Sequence, residues 1–125
     1  MKTNKLILVL ALLVTHLMLG QYIDKMKEFT KINDALKNPE IVYRLNLSNQ
    51  KIDWSKIDWS RFKNLEYINL KNDHLKEIPV ELTKLKSLKT IDLSGNDFQK
   101  LPESFSNLIN LEEVFLNDEK NIDLP

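Results

Sequence analysis

From Leu65 onward the apolar residues fall in an order that fits neither a helix nor an isolated strand. Leu65, Ile68, Leu70, Leu75, Ile78, Leu82 and Leu85 take the first, fourth, sixth, eleventh, fourteenth, eighteenth and twenty-first places of a 23-residue unit, with Pro79 at the fifteenth. One period later Leu88, Ile91, Leu93, Phe98, Leu101, Phe105 and Leu108 occupy the same seven places, and Pro102 again holds the fifteenth. A helical face would repeat every three or four residues and a half-buried strand every two. A long fixed period marks an internal repeat instead. Within each unit the fourth and sixth residues alternate as in a short strand, pointing inward while the third, fifth and seventh face out. No unit can bury its own apolar edge, so the units are predicted to stack as coils whose strands form one parallel sheet. The segment after each strand, limited in regularity by Pro79 or Pro102, should return over the outer side as extended chain or a single helical turn.

The repeat is looser at its two ends. A first unit, Val42 to Asn64, keeps Val42, Leu45, Leu47 and Ile52, but its second half is one five-residue word said twice, KIDWSKIDWS, from Lys51 to Ser60. Ser55 and Lys56 stand where leucine and proline would be, while Trp59 and Phe62 still meet the eighteenth and twenty-first places. Trp54, Ile57 and Trp59 are expected to fill a larger gap before the second coil, with an outward tryptophan patch as the competing expectation. A fourth unit opens with Leu111, Val114 and Leu116, then places polar Glu119 and Asn121 at the ninth and eleventh places before Leu124 and Pro125.

Residues 21 to 40 belong to no repeat. Ile23, Met26, Phe29, Ile32 and Leu36 are spaced by three and four, which predicts one apolar helical face. Thr30 is a candidate N-cap within it, and Pro39 ends it. Such a helix would cap the first apolar layer of a stacked array. Ahead of it, Lys2 and Lys5 precede an apolar run from Leu6 to Leu19 that is broken only by Thr15 and His16 and ends at Gly20. This reads as a secretory signal peptide over residues 1 to 20, followed by an exported chain. Its 14 residues fall short of the roughly 18 to 20 that span a bilayer core, which leaves an uncleaved anchor as the lesser alternative.

The pattern, with its LxxLxLxxN core, resembles the leucine-rich repeat family. The words DALKNPEIVYRLNLSNQKI, Asp34 to Ile52, are similar to the approach to the first repeat in short-repeat proteins of exported bacterial type. The resemblance covers Thr30 to Pro125. It implies an α/β solenoid, a short leucine-rich repeat coil stack with a parallel sheet on its concave face and an N-terminal helical cap over 21–40, the repeats running from 41 to 125. At the ninth place the family prefers asparagine, whose amide both donates and accepts. Only Asn96 keeps it; Gln50 preserves the amide, while Asp73 and Glu119 can only accept when ionised. An incomplete ladder and a modestly stable fold are therefore expected.

Stacking by 23 places Arg44, Tyr67, Thr90 and Glu113 in one outward column, Asn46, Asn69, Asp92 and Phe115 in the next, and Ser48, Lys71, Ser94 and Asn117 in a third. The resemblance implies that this concave face binds another protein, with a glycan as the weaker option. The candidate residues are Arg44, Asn46, Tyr67, Asn69, Lys71, Thr90, Asp92, Glu113 and Phe115. If nothing follows Pro125 to cover the last apolar layer, the strand around Glu113 to Leu116 should present an unpaired edge. Homodimer formation through that edge is the less favoured outcome, because Glu112, Glu113, Asp118 and Glu119 would meet their like.

Composition narrows the chemistry. The chain has 125 residues, 42% of them hydrophobic, no cysteine and zero formal net charge. That bounds it to one small unit without disulfides or thiolate metal sites. Loss of residues 1 to 20 would remove two lysines and no acid, leaving 16 basic and 18 acidic residues and a net charge of minus two. Such a balance, without a concentrated basic face, argues against nucleic acid. No cofactor or metal site is expected, since there is no histidine pair and no calcium-loop spacing of aspartates. The exported part holds one histidine, His74, on the turn after a strand. Asp92 and Glu113 would lie on neighbouring strands roughly 8 Å apart, a usable separation for hydrolytic carboxylates. A shallow sheet face gives them no walled pocket, so no enzymatic activity is expected.

Overall fold

The computed structural model describes residues 2–117. Helix α1 (Lys2–Met26) is followed by strand β1 (Glu28–Phe29), the one-turn helix α2 (Ile32–Ala35) and strands β2 (Arg44–Asn46), β3 (Tyr67–Asn69), β4 (Thr90–Asp92) and β5 (Glu113–Phe115). The five strands form one parallel sheet in chain order. Between them the chain returns over the outer side in short 3-10 helices. Pro79 and Pro102 stand immediately before two of these, Val80–Lys84 and Glu103–Asn107. A proline fixes its own φ and suits a helix start while barring longer regular structure.

Alternation along each strand fills the core. Leu45, Leu47, Ile68, Leu70, Ile91 and Leu93 are fully buried, as are Leu65, Leu82, Leu85, Leu88 and Phe98 from the rest of the coils. The doubled word of the first coil makes two turns in place of one, Trp54–Lys56 and Trp59–Arg61. Each opens on an aspartate whose carboxylate accepts from a serine two residues on, Asp53 from Ser55 and Asp58 from Ser60. This folds the tryptophans inward. Their rings stack with centroids 4.3 Å apart, Trp59 lies 5.6 Å from Phe62, and its indole N–H donates to the Trp54 carbonyl at 3.0 Å. Both are buried, so the outward tryptophan patch does not form.

The first coil is covered differently from the single amphipathic face expected. Helix α1 continues through Gly20 to Met26, and Ile23 and Met26 are exposed on it. Phe29, Ile32 and Leu36 do pack on the core, with Ala35 fully buried among them, but they come from β1 and α2. Thr30 is not an N-cap; Lys31 holds that position without a side-chain bond. The Thr30 carbonyl instead accepts from Gln50 Nε2 at 3.0 Å. The apolar helix is also longer than the 14-residue run: 23 residues, Asn4–Met26, are long and apolar enough to cross a membrane, a test that signal sequences also pass. Among the described residues β5 pairs only with β4, and Val114 is 37% exposed where its counterparts Leu45, Ile68 and Ile91 are buried. Asp118, Glu119, Asn121, Leu124 and Pro125 lie outside the described residues.

Two sets of side chains stitch the coils. Asn96 Oδ1 accepts from the Asp73 and Leu75 amides, and its Nδ2 donates to the Leu70 and Leu93 carbonyls. One coil earlier Asp73 accepts from the Gln50 amide at 2.7 Å. A second ladder runs through the twenty-third places: Asn64 donates to the Glu40 carbonyl, Ser87 to Lys63 and Asn110 to Lys86, at 2.7, 2.6 and 2.8 Å. Left-handed backbone at Asn49, Asn72 and Gly95 turns the chain after β2, β3 and β4, a conformation that asparagine and glycine tolerate best.

The Asp73 carboxyl is pushed up to about 6, chiefly by burial, against the lowering effect of the Gln50 and Asn49 amides and of His74. Asp73 holds the place of Asn96 one coil earlier; Asn96 donates there to the Leu70 and Leu93 carbonyls, and an ionised carboxyl has no such donor to offer. A carboxyl whose folded value exceeds its ordinary 3.8 contributes its full stability below that value and loses it as pH rises through about 6. Asp73→Asn should therefore stabilise the fold above pH 6 by about 1 kcal/mol, a figure reduced for solvent screening of this half-buried group, and should give no gain near pH 4. Urea unfolding at the two pH values checks it. Equal effects at both, or destabilisation above pH 6, would show that the carboxylate is not strained there.

Candidate functional site

The outward residues of the strands form the candidate site. Register places Arg44, Tyr67, Thr90 and Glu113 side by side across β2 to β5, with Asn46, Asn69, Asp92 and Phe115 in the parallel column. Both columns are as the 23-residue period predicts. The third is not uniform: Ser94 is buried, its hydroxyl accepting from the Asn117 amide at 3.1 Å, while Lys71 and Ser48 are partly exposed. Strand β1 adds a residue that the period does not reach. Glu28 lies beside Arg44, with Oε2 3.8 Å from the guanidinium and Oε1 accepting from Asn46 Nδ2 at 3.2 Å.

The polar residues of the second column have a local task as well. Asn46, Asn69 and Asp92 each turn a side-chain oxygen back to accept from the amide two residues on, those of Ser48, Lys71 and Ser94. These Asx turns end each strand and orient the next. The Asn46 amide nitrogen is engaged by Glu28 and the Asn69 side chain by the Tyr67 hydroxyl, which leaves the second oxygen of Asp92 for the open face.

The first column carries the aromatic and charged groups. The Arg44 guanidinium lies 4.1 Å from the Tyr67 ring centroid, a cation–π stack that fixes both side chains. Burial, and then the charges of Glu28 and Asp92, hold the Tyr67 hydroxyl above its ordinary range, so it stays a neutral donor. Thr90 donates to Glu113 at 3.4 Å. Together Arg44, Tyr67, Thr90, Asp92, Glu113 and Phe115 line a shallow open depression of about 430 Å³. A larger one, about 660 Å³, lies off the sheet between the turns carrying Lys76, Glu77, Asp97 and Lys100. It is bounded by loops and side chains of mixed sign, without an exposed ring to anchor a ligand. The rigid strand face is the better-built surface. His74 stands apart, exposed and 3.5 Å from Asp97.

Residues 40–98 match the family model for the leucine rich repeat. The matched residues span the first coil, the second and the strand and turn of the third. Residues 40–98 are leucine-rich repeats. A leucine-rich repeat protein of Leptospira interrogans, of known structure, is similar to the chain at 24% identity and a TM-score of 0.55. The alignment covers 79% of this chain and 31% of that one, so the chain spans about a third of the Leptospira protein's length. This likeness bears on the fold: the leucine-rich repeat solenoid extends beyond the matched residues to β5. No protein of curated function matches the chain in sequence. Leucine-rich repeat arrays commonly serve protein interaction.

Proposed function

We propose that the chain is an exported recognition module that binds a protein partner through Arg44, Asn46, Tyr67, Asn69, Lys71, Thr90, Asp92, Glu113 and Phe115. The observation that carries this reading is the Arg44–Tyr67 stack, with an exposed Phe115 lining the same depression. Aromatic and arginine side chains concentrate binding energy at interfaces, and a surface already ordered before contact loses little entropy on binding. The apolar N-terminal helix supports export. Mass spectrometry of the exported protein should find an N-terminus near Gln21; a soluble cytosolic protein starting at Met1 would remove this part of the reading.

Tyr67→Ala removes the ring from the middle of its column and is expected to weaken partner binding by about 2 kcal/mol or more. The fold should persist, since Tyr67 is only half-buried and Ile68 and Leu65 keep the packing. Calorimetric titration measures the first and circular dichroism the second; unchanged affinity with an intact fold would sink the assignment. Self-assembly through β5 is a second reading, favoured by the exposure of Val114 and Phe115 and opposed by the like charges of Glu112 and Glu113.

A further inference from the structure

Resting on the concave-face reading, we propose the chemistry of the partner: a basic segment that seats a lysine or arginine side chain over Thr90, between the carboxylates of Asp92 and Glu113 and the rings of Tyr67 and Phe115. The register builds this seat. Thr90 has Tyr67 on one side and Glu113 on the other in its own column, and Asp92 beside Phe115 in the next. Adjacent strands lie about 4.8 Å apart, so the short threonine between longer neighbours leaves the hollow that the depression describes.

Charge decides what fits. Among the described residues Arg44 is the one cation lining the hollow, and it is engaged at the far end by Glu28 and the Tyr67 ring. Among the described residues Asp92 and Glu113 form no ion pair; they accept only from neutral donors, the Ser94 amide and the Thr90 hydroxyl. The second oxygen of Asp92 remains open to the face. A cation placed here would make charge-assisted bonds to two carboxylates and lie against an aromatic face, both favourable to it. Arg44 on Tyr67 shows that this ring accepts a guanidinium. A neutral segment would instead cover two carboxylates without pairing them, and an acidic one would add repulsion.

The test uses the full chain in zwitterionic micelles and three dye-labelled peptides of equal length and apolar content, differing only in a central Lys-Arg, Gln-Gln or Glu-Glu pair. Fluorescence anisotropy should show the basic peptide binding at least about tenfold more tightly than the neutral one, with affinity falling as salt rises. The double variant Asp92→Asn, Glu113→Gln removes both charges. It retains an oxygen to accept from the Ser94 amide and from Thr90, so the fold should persist, and the basic peptide should lose about tenfold in affinity. Binding of the basic peptide that survives the double variant, or equal binding of all three peptides, overturns the proposal. Preference for the neutral or acidic peptide, abolished by Tyr67→Ala, would overturn the cation while keeping the concave site. A preference for the basic peptide that neither Tyr67→Ala nor the double variant alters would remove both.

Discussion

Trp59→Ala is expected to lower stability by about 3 to 5 kcal/mol, the range for truncating a buried tryptophan. Trp59 is fully enclosed, stacked on Trp54, in contact with Phe62 and bonded through its indole N–H to the Trp54 carbonyl. Its loss leaves that carbonyl with the Ile57 amide alone as donor and opens a cavity in the first coil. Small domains hold only roughly 5 to 15 kcal/mol in total, so the variant should lose a large fraction of its stability. Because coils touch only their neighbours, the damage should spread to the cap side, where β1 and α2 rest on the first coil. Denaturant unfolding followed by tryptophan fluorescence and circular dichroism measures it, with Trp59→Phe retaining about half the loss. A cost under about 1 kcal/mol would mean that the doubled KIDWS word does not pack as described.

Asn96→Ala should cost about 3 kcal/mol by a different route. Asn96 is buried, and its amide meets the Asp73 and Leu75 amides and the Leu70 and Leu93 carbonyls. Each buried backbone group stripped of its partner costs about 1 to 3 kcal/mol, reduced here where water enters the smaller side chain's place. Asn96→Asp separates the two halves of the amide: the acceptor to Asp73 and Leu75 survives, the donor is lost, and the cost should grow with pH, as the raised carboxyl of Asp73 foreshadows. Thermal unfolding of both variants at two pH values distinguishes them. If Asn96→Ala unfolds within about 0.5 kcal/mol of the parent, the asparagine is ornamental and leucine packing alone sets the period.

The strands and their two columns were legible because the 23-residue period is a packing constraint: each inward leucine must meet its counterpart one coil on, and the outward residues follow in register. Glu28 was not legible, since it stands 16 residues before Arg44 rather than 23, and a two-residue strand shows no alternation. Asn64, Ser87 and Asn110 recur at one period and donate alike, yet short polar residues at loop positions are common enough that recurrence alone did not single them out. Ser94 escaped for the opposite reason. It occupies an outward place by count, but the turn at Gly95 draws it inward onto the Asn117 amide. Met26 and Ile23 fit a helical face with Phe29 only if one helix runs through all three, and the chain extends at Glu28 to pair with β2.

Whether the open side of the sheet is the binding surface can be tested by comparing what the protein and its variants retain from the medium and lysate of the cells that produce it. Proteins bound by the parent and by Val80→Asp, an exposed residue on the returning helix Val80–Lys84 of the outer side, should be lost together from Tyr67→Ala and Phe115→Asp. Retention by the two sheet-face variants, with loss from the outer-side variant, would contradict the account.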